Sequence, residues 1–265
     1  MYTPTLRVKN NGVPVLSKKE LNDIGERFIA DFQPEALKEP QPVDIDGFAE
    51  LYLGMTPDYQ YLSHNGIYLG MTIFNDTNRV VVYDPATNKA EYISAKARTM
   101  IIDRRLLDES QQHRYRFTVG HEVSHDILHS GYFSYNPDQF TLFDNDTYGA
   151  MIQCRVDSAN NPKTDTRLWD DHDWMEWQAN NLSSAILMPK SSVDKVAKPF
   201  MRSDEMDYLT RLRLVNQVSA VFDVSVAAAT IRLKDLQYID KSDTGDYNLG
   251  FPLFSSTSAV STVTI

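Results

Sequence analysis

The pentapeptide His121-Glu122-Val123-Ser124-His125 constrains this chain more than any other feature. It lies in a run from Gln111 to about Ser130 whose residues recur at helical spacing, with Gly131 as the expected stop. On a helix the two imidazoles fall about 40° apart on one face and about 6 Å apart along the axis, so both can converge on one tetrahedral ion. Glu122 points about 60° beyond His125, beside such an ion but off it. Val119, Val123 and Ile127 share the opposite face, and Gly120 and Ser124 are small enough for a neighbouring element to come close. The helix is therefore expected to be anchored by its back and polar at its front.

Two imidazoles leave a catalytic zinc one protein ligand short. His129 lies about 12 Å along the axis from His121, too far for both to bind one ion, and reads instead as a cation near a helix C-terminus. Further on only His172 remains, so a carboxylate is favoured, and Glu176 is the choice. It sits on the next strong helix, where Met175, Ala179, Leu182 and Ile186 form an apolar stripe and Asn180, one turn on, could orient a liganding imidazole. Asp170, Asp171, Asp173 and His172 are alternatives, but acidic residues at a helix start also favour the positive end of its dipole.

Around this signal the period changes along the chain. Ser17 and Glu20 form a capping box before Leu21, Ile24, Phe28, Ile29 and Phe32 at helical spacing, and a short helical stretch covers Phe48 to Tyr52. Residues 58–103 read as strands, at Tyr61, Ile67–Phe74, Val80–Tyr83, Tyr92–Ile93 and Met100–Ile102, separated by turn signals. Helical period resumes from Asp171 to Leu187, ends at Met188-Pro189, and restarts for further helices to about Ile239. The fold class read from this order is α+β: a small, mostly antiparallel sheet packed against the helix of the paired histidines, with a helical C-terminal part. One domain over 1–250 is expected: helix and sheet at 17–103, metal-site helices at 111–188, and C-terminal helices at 190–240. Residues 131–169 have no sustained period and read as an insertion near the site, and 251–265 as a mobile tail.

Composition excludes some classes. No apolar run approaches the roughly 20 residues that cross a bilayer, and no secretory signal is visible, so a cytoplasmic protein without a membrane partner is expected. A single cysteine, Cys154, supplies neither an internal disulfide nor a multi-thiolate site, leaving nitrogen and oxygen to hold any metal. The formal charge of −10 disfavours nucleic acid as a partner.

Arg116-Phe117-Thr118-Val119-Gly120-His121-Glu122-Val123-Ser124-His125, with Leu128-His129, resembles the R-F-T-x-A-H-E-x-x-H-x-x-x-H stretch of the ImmA/IrrE metallopeptidases. Downstream, Glu176-Trp177-Gln178-Ala179-Asn180 and Ala185-Ile186-Leu187-Met188-Pro189 are similar to that family's E-x-x-A-N and A-x-L-L-M-P segments. The resemblance implies Zn2+ held by His121, His125 and Glu176, with Glu122 as catalytic base of an endopeptidase. It also implies a protein substrate, a helix-turn-helix transcriptional repressor controlling stress or mobile-element genes. Gly120 stands where the family has Ala, and the gap between His125 and Glu176 is longer than in compact members.

Several roles stay open at this level. Tyr132, Tyr135, Tyr148, His64 and His113 are all conceivable donors to a developing oxyanion. Trp169, Trp174 and Trp177 fit a substrate groove or the core equally, and Cys154 reads as an ordinary cysteine. A DNA-binding module is an alternative from another class: residues 206–239 outline two helices around a Phe222-Asp223-Val224-Ser225 turn. Five Lys/Arg against four Asp between 206 and 241 is weak for gripping phosphate. A non-catalytic zinc regulator is the other alternative, against which the presence of Glu122 argues.

Overall fold

Ser17 accepts from the backbone of Glu20 while the Glu20 carboxylate reaches back to Ser17, so both halves of the expected capping box close and start helix α1 (Lys18–Phe32). The computed structural model describes residues 1–133, 151–155, 166–201 and 206–248, with the backbone alone for 153–155. The expected tail at 251–265 lies outside the described residues. After α1 come two short helices, α2 (Glu35–Lys38) and α3 (Ile45–Gly47), and a π-helical turn over Phe48–Tyr52.

Among the described residues six strands occur: four fall on the expected runs, the strand expected at Tyr61 lies just before that residue, and the last is an addition. They are β1 (Thr56–Gln60), β2 (Tyr68–Ile73), β3 (Thr77–Asp84), β4 (Lys89–Ala95), β5 (Thr99–Asp103) and β6 (Met151–Arg155). A four-stranded sheet runs β1-β5-β2-β6, and β3 and β4 form a separate hairpin. Among the described residues only β1 and β5 pair in parallel, with Asp58 opposite Ile101; β2 is antiparallel to both neighbours, Met71 facing Ile101 on one side and Gln153 on the other. The mixed α+β class with a small, mostly antiparallel sheet is as the sequence implied. Strand β6 lies inside 131–169, the stretch that shows no sustained period in the sequence. It is a short strand whose pairing partner lies about eighty residues earlier, so no local period announces it.

Helix α4 (Gln112–Phe133) carries the paired histidines and runs past the expected stop at Gly131. Its last turn is tied to the sheet: Phe133 stacks on Phe74 with ring centroids 4.3 Å apart, and Asn75 Nδ2 donates to the Phe133 carbonyl at 2.8 Å. Helix α5 (Asp171–Leu187) follows, capped by a reciprocal pair of hydrogen bonds between Asp170 and Asp173. Then come α6 (Lys190–Ala197), α7 (Tyr208–Phe222) and α8 (Val226–Asp235), the last two bent by 111° about the expected turn, where Asp223 takes a left-handed conformation at φ 51°. Among the described residues no single helix is long and apolar enough to cross a membrane.

The site is held between two apolar layers. Val119 and Val123 on the back of α4 join Phe28, Leu182, Ile186 and Phe222 in the main core, all fully or almost fully buried. Strand β2 divides its residues by parity: Met71 and Ile73 enter a second core with Leu62, Val80 and Ile101, while Gly70 and Thr72 face α4. The polar front of α4 is thus covered by β2 on one side and by α5 on another.

Candidate metal centre

α4 and α5 approach closely because Gly120 has no side chain. A Cβ built on Gly120 would lie 2.6 Å from Ser183 Oγ, which also reaches the Phe117 carbonyl at 3.3 Å. Where the resembled family has Ala, this chain has Gly120 and gives the space to the hydroxyl of Ser183.

That packing brings Glu176 onto the histidine pair. His121 Nε2 and His125 Nε2 are 2.9 Å apart, and the Glu176 carboxylate oxygens lie 3.4 Å from the first and 3.3 Å from the second. One ligand atom from each of the three residues falls within a 4.8 Å span, and all three side chains are buried. A tetrahedral zinc with bonds of about 2.0–2.2 Å separates its ligands by roughly 3.3 Å, close to what is found. Donor chemistry agrees with the spacing. Asn180 Oδ1 lies 3.0 Å from His121 Nδ1, and an amide oxygen can only accept, so the ring proton of neutral His121 sits on Nδ1 and the Nε2 lone pair faces the cluster. Both oxygens of Glu176 are buried without a hydrogen-bond partner. Buried acceptors facing one another without a donor carry a large desolvation cost, which a divalent cation removes. The three residues therefore fit a metal ion.

Glu122 is fully buried beside this cluster under β2. Its Oε2 accepts from Thr72 Oγ1 at 2.7 Å, whereas Oε1 has no partner. Gly70 makes room for it, since a Cβ there would stand 2.3 Å from Oε1. Burial pushes the Glu122 carboxyl up to about 7, against the opposing effects of His121 and Thr72. Burial, then the neighbouring His121, pushes His125 down to about 4. At Glu176 burial acts upward, but the charge and N–H groups that His121 and His125 present when protonated overcome it and hold the carboxyl well below its ordinary range.

The reading of His129 as a cation at a helix end is overturned. His129 is fully buried, its Nδ1 2.8 Å from His125 Nδ1 and its Nε2 3.0 Å from Gln178 Oε1, and desolvation holds its pKa well below the usual value. It touches the far side of His125 and is not in the metal cluster. Of the acidic alternatives, Asp170 and Asp173 cap α5, and Asp171 binds Lys9 Nζ at 2.6 Å and Asn11 Nδ2 at 2.5 Å. His172 is the nearest of them, its Nε2 4.0 Å from Glu176 Oε1 on a side chain 60% exposed.

Among the conceivable oxyanion donors, His64 packs edge-on against Tyr83, His113 pairs with Asp223, and Tyr132 packs on Phe133. Tyr135 and Tyr148 lie outside the described residues, as does the Cys154 side chain. The three tryptophans form one partly exposed cluster, with Trp169 and Trp174 4.8 Å apart. Sequence reasoning missed Gly70, Thr72 and Gln178. Thr72 left a faint trace as a hydroxyl in the otherwise apolar run Tyr68-Leu69-Gly70-Met71-Thr72-Ile73.

Residues 154–234 match the peptidase M78 family, described as the IrrE N-terminal-like domain. The resemblance to ImmA/IrrE metallopeptidases is thereby borne out over that stretch. The match takes in Glu176, Asn180 and Met188-Pro189 but not His121, Glu122 and His125, which the fold carries to Glu176 from outside it. A search of curated proteins returned no match. The stretch 154–234 is thus similar to a metallopeptidase domain, and the described residues bring together a buried His-His-Glu cluster that could hold a metal.

Proposed function

We propose that this protein is a zinc endopeptidase, with His121, His125 and Glu176 as metal ligands, Glu122 as general base and Asn180 orienting His121. The observation that carries it is the meeting of two helices at which Glu176 presents two unpartnered oxygens to the Nε2 atoms of the histidine pair. Zinc held there would lower the pKa of water and polarise a peptide carbonyl. Glu122 removes the proton as water adds to the carbonyl carbon, then delivers it to the departing amine. Thr72 binds one oxygen of that carboxylate, which leaves Oε1 as the basic atom. A carboxyl raised to about 7 is well suited to both halves of that transfer.

The family resemblance supports a protein substrate, with a helix-turn-helix repressor as the specific proposal. Direct DNA contact through α7 and α8 is disfavoured by charge. Arg211 and Lys234 bond to neighbouring groups and Arg232 is buried against the Met188 carbonyl, which leaves Arg213 and Lys241 as the exposed cations of the five.

Metal analysis of the wild type beside Glu176→Ala and Glu122→Gln tests the reading. About one zinc per chain is expected in wild type and Glu122→Gln, with strong loss in Glu176→Ala. Glu122→Gln is expected to lower hydrolysis of a candidate repressor by about 10²- to 10⁴-fold. A wild type without bound metal after purification and zinc addition would refute the proposal.

A further inference from the structure

Beyond the cluster, the structure holds a chain of hydrogen bonds whose direction can be read from one end. It starts at the main-chain carbonyl of Pro14, which can only accept, so Gln178 Nε2 at 2.7 Å is the donor and the amide orientation is fixed. Gln178 Oε1 therefore faces His129 Nε2 as an acceptor at 3.0 Å, and His129 must carry a proton on Nε2. His129 is a fully buried ring whose two partners, an amide and an imidazole, are uncharged, so it is held neutral and its Nδ1 is a bare lone pair. The 2.8 Å contact between His129 Nδ1 and His125 Nδ1 then needs its hydrogen from His125. With the His125 proton on Nδ1, its Nε2 is a lone pair pointing at His121 Nε2 and Glu176.

We propose that Pro14, Gln178 and His129 form a relay that fixes His125 in the one neutral tautomer able to bind a metal through Nε2, making His129 and Gln178 positioning residues for the centre. This rests on the proposed metal site and deepens it. The relay also ties the centre to the N-terminal segment. Pro14 is held beside α5 by buried Val13, which packs with Phe133, Ile152 and Met175, and by the contacts of Lys9 and Asn11 with Asp171. His121 is oriented independently, through Asn180, so the two imidazoles have separate supports.

The relay makes a distinction that simple packing does not. His129→Asn can restore an acceptor near the position of Nδ1, whereas His129→Phe fills the space without one, and Gln178→Leu removes the directing amide. Zinc affinity, measured by chelator competition, is expected to fall about 10- to 100-fold in His129→Phe and Gln178→Leu and to stay near wild type in His129→Asn. The visible absorption of the cobalt-substituted protein is expected to change in the first two and to be recovered in the third. Equal affinities across all variants, or equal loss in Phe and Asn variants, would overturn the relay while leaving the metal site standing. A wild type that binds no metal would remove the reading on which it rests. Should the variants not fold, nitrogen-15 NMR of metal-free wild type decides directly: His125 is expected to be protonated on Nδ1, and protonation on Nε2 refutes the relay.

Discussion

Where α4 meets α5 the chain buries His121, Glu122, His125, His129, Glu176 and Gln178; where α7 meets α8 it buries Leu212, Val215, Val218, Phe222, Ala229 and Leu233. The second set stabilises the fold through removal of apolar surface from water, about 25 cal/mol per Å². The first set contains groups that lose hydration, and three of its carboxylate oxygens have no protein donor in return. The difference separates what holds the molecule together from what the molecule holds ready. Some polar members of the first set, such as Gln178, have a partner at each polar atom; the unpartnered ones converge where a cation fits.

The sharpest way to break this contrast is to exchange the expected effects. Glu176→Leu is expected to weaken zinc binding more than 10³-fold while leaving the metal-free protein about as stable as wild type, because the cost of burying the carboxylate offsets its pairing with His121 and His125. Phe222→Ala is expected to do the reverse, costing about 3–5 kcal/mol in urea unfolding with zinc stoichiometry unchanged. A Glu176→Leu protein that is unstable without metal would show that the site residues also carry the fold. Wild-type protein should in turn lose thermal stability on chelation, by an amount set by the logarithm of free zinc over Kd, and Glu176→Leu should not respond.

A smaller effect tests the closeness of α4 and α5. Gly120→Ala gains about 1 kcal/mol of helix propensity but displaces the Ser183 hydroxyl, at a similar cost of about 1 kcal/mol. The single variant is thus expected near wild type and Gly120→Ala with Ser183→Ala about 1 kcal/mol above it. Additive effects in that cycle would show that the two residues do not compete for the same space. Smallest of all is Tyr92→Thr on the β3–β4 hairpin, 72% exposed, which should stay within about 0.5 kcal/mol and leave the metal untouched.

Much of this was legible in the sequence because it is local. The capping box at Ser17, the end of α5 at Met188-Pro189 and the Phe222–Ser225 turn depend on neighbours a few residues away, and all appear where expected. The pairing of His121 and His125 was legible for the same reason, by helical phase, whereas Glu176 was reached by elimination of other ligands and by the E-x-x-A-N resemblance. What escaped depends on contacts across elements. Strand β6 exists by pairing with β2, Thr72 meets Glu122 across fifty positions, and Gln178 covers His129 from another helix. His129 was misread because its place near a helix end implied solvent, and only α5 and Pro14 together show that it has none.

Strand β2 has a consequence that follows from its alternation. Gly70 and Thr72 face Glu122, while Met71 and Ile73 fill the small core on the other side of the sheet. A slip of one residue would thrust a methionine into the space of the carboxylate and bury a threonine among aliphatics. β5 on one flank and β6 on the other oppose that slip, with a bulge between Tyr68 and Gly70 marking where the alignment is set. Strand β6 thus acts as a lock on the phase of the strand that cradles Glu122, and moving its register by one residue would be felt as lost alignment at a carboxylate on the neighbouring helix.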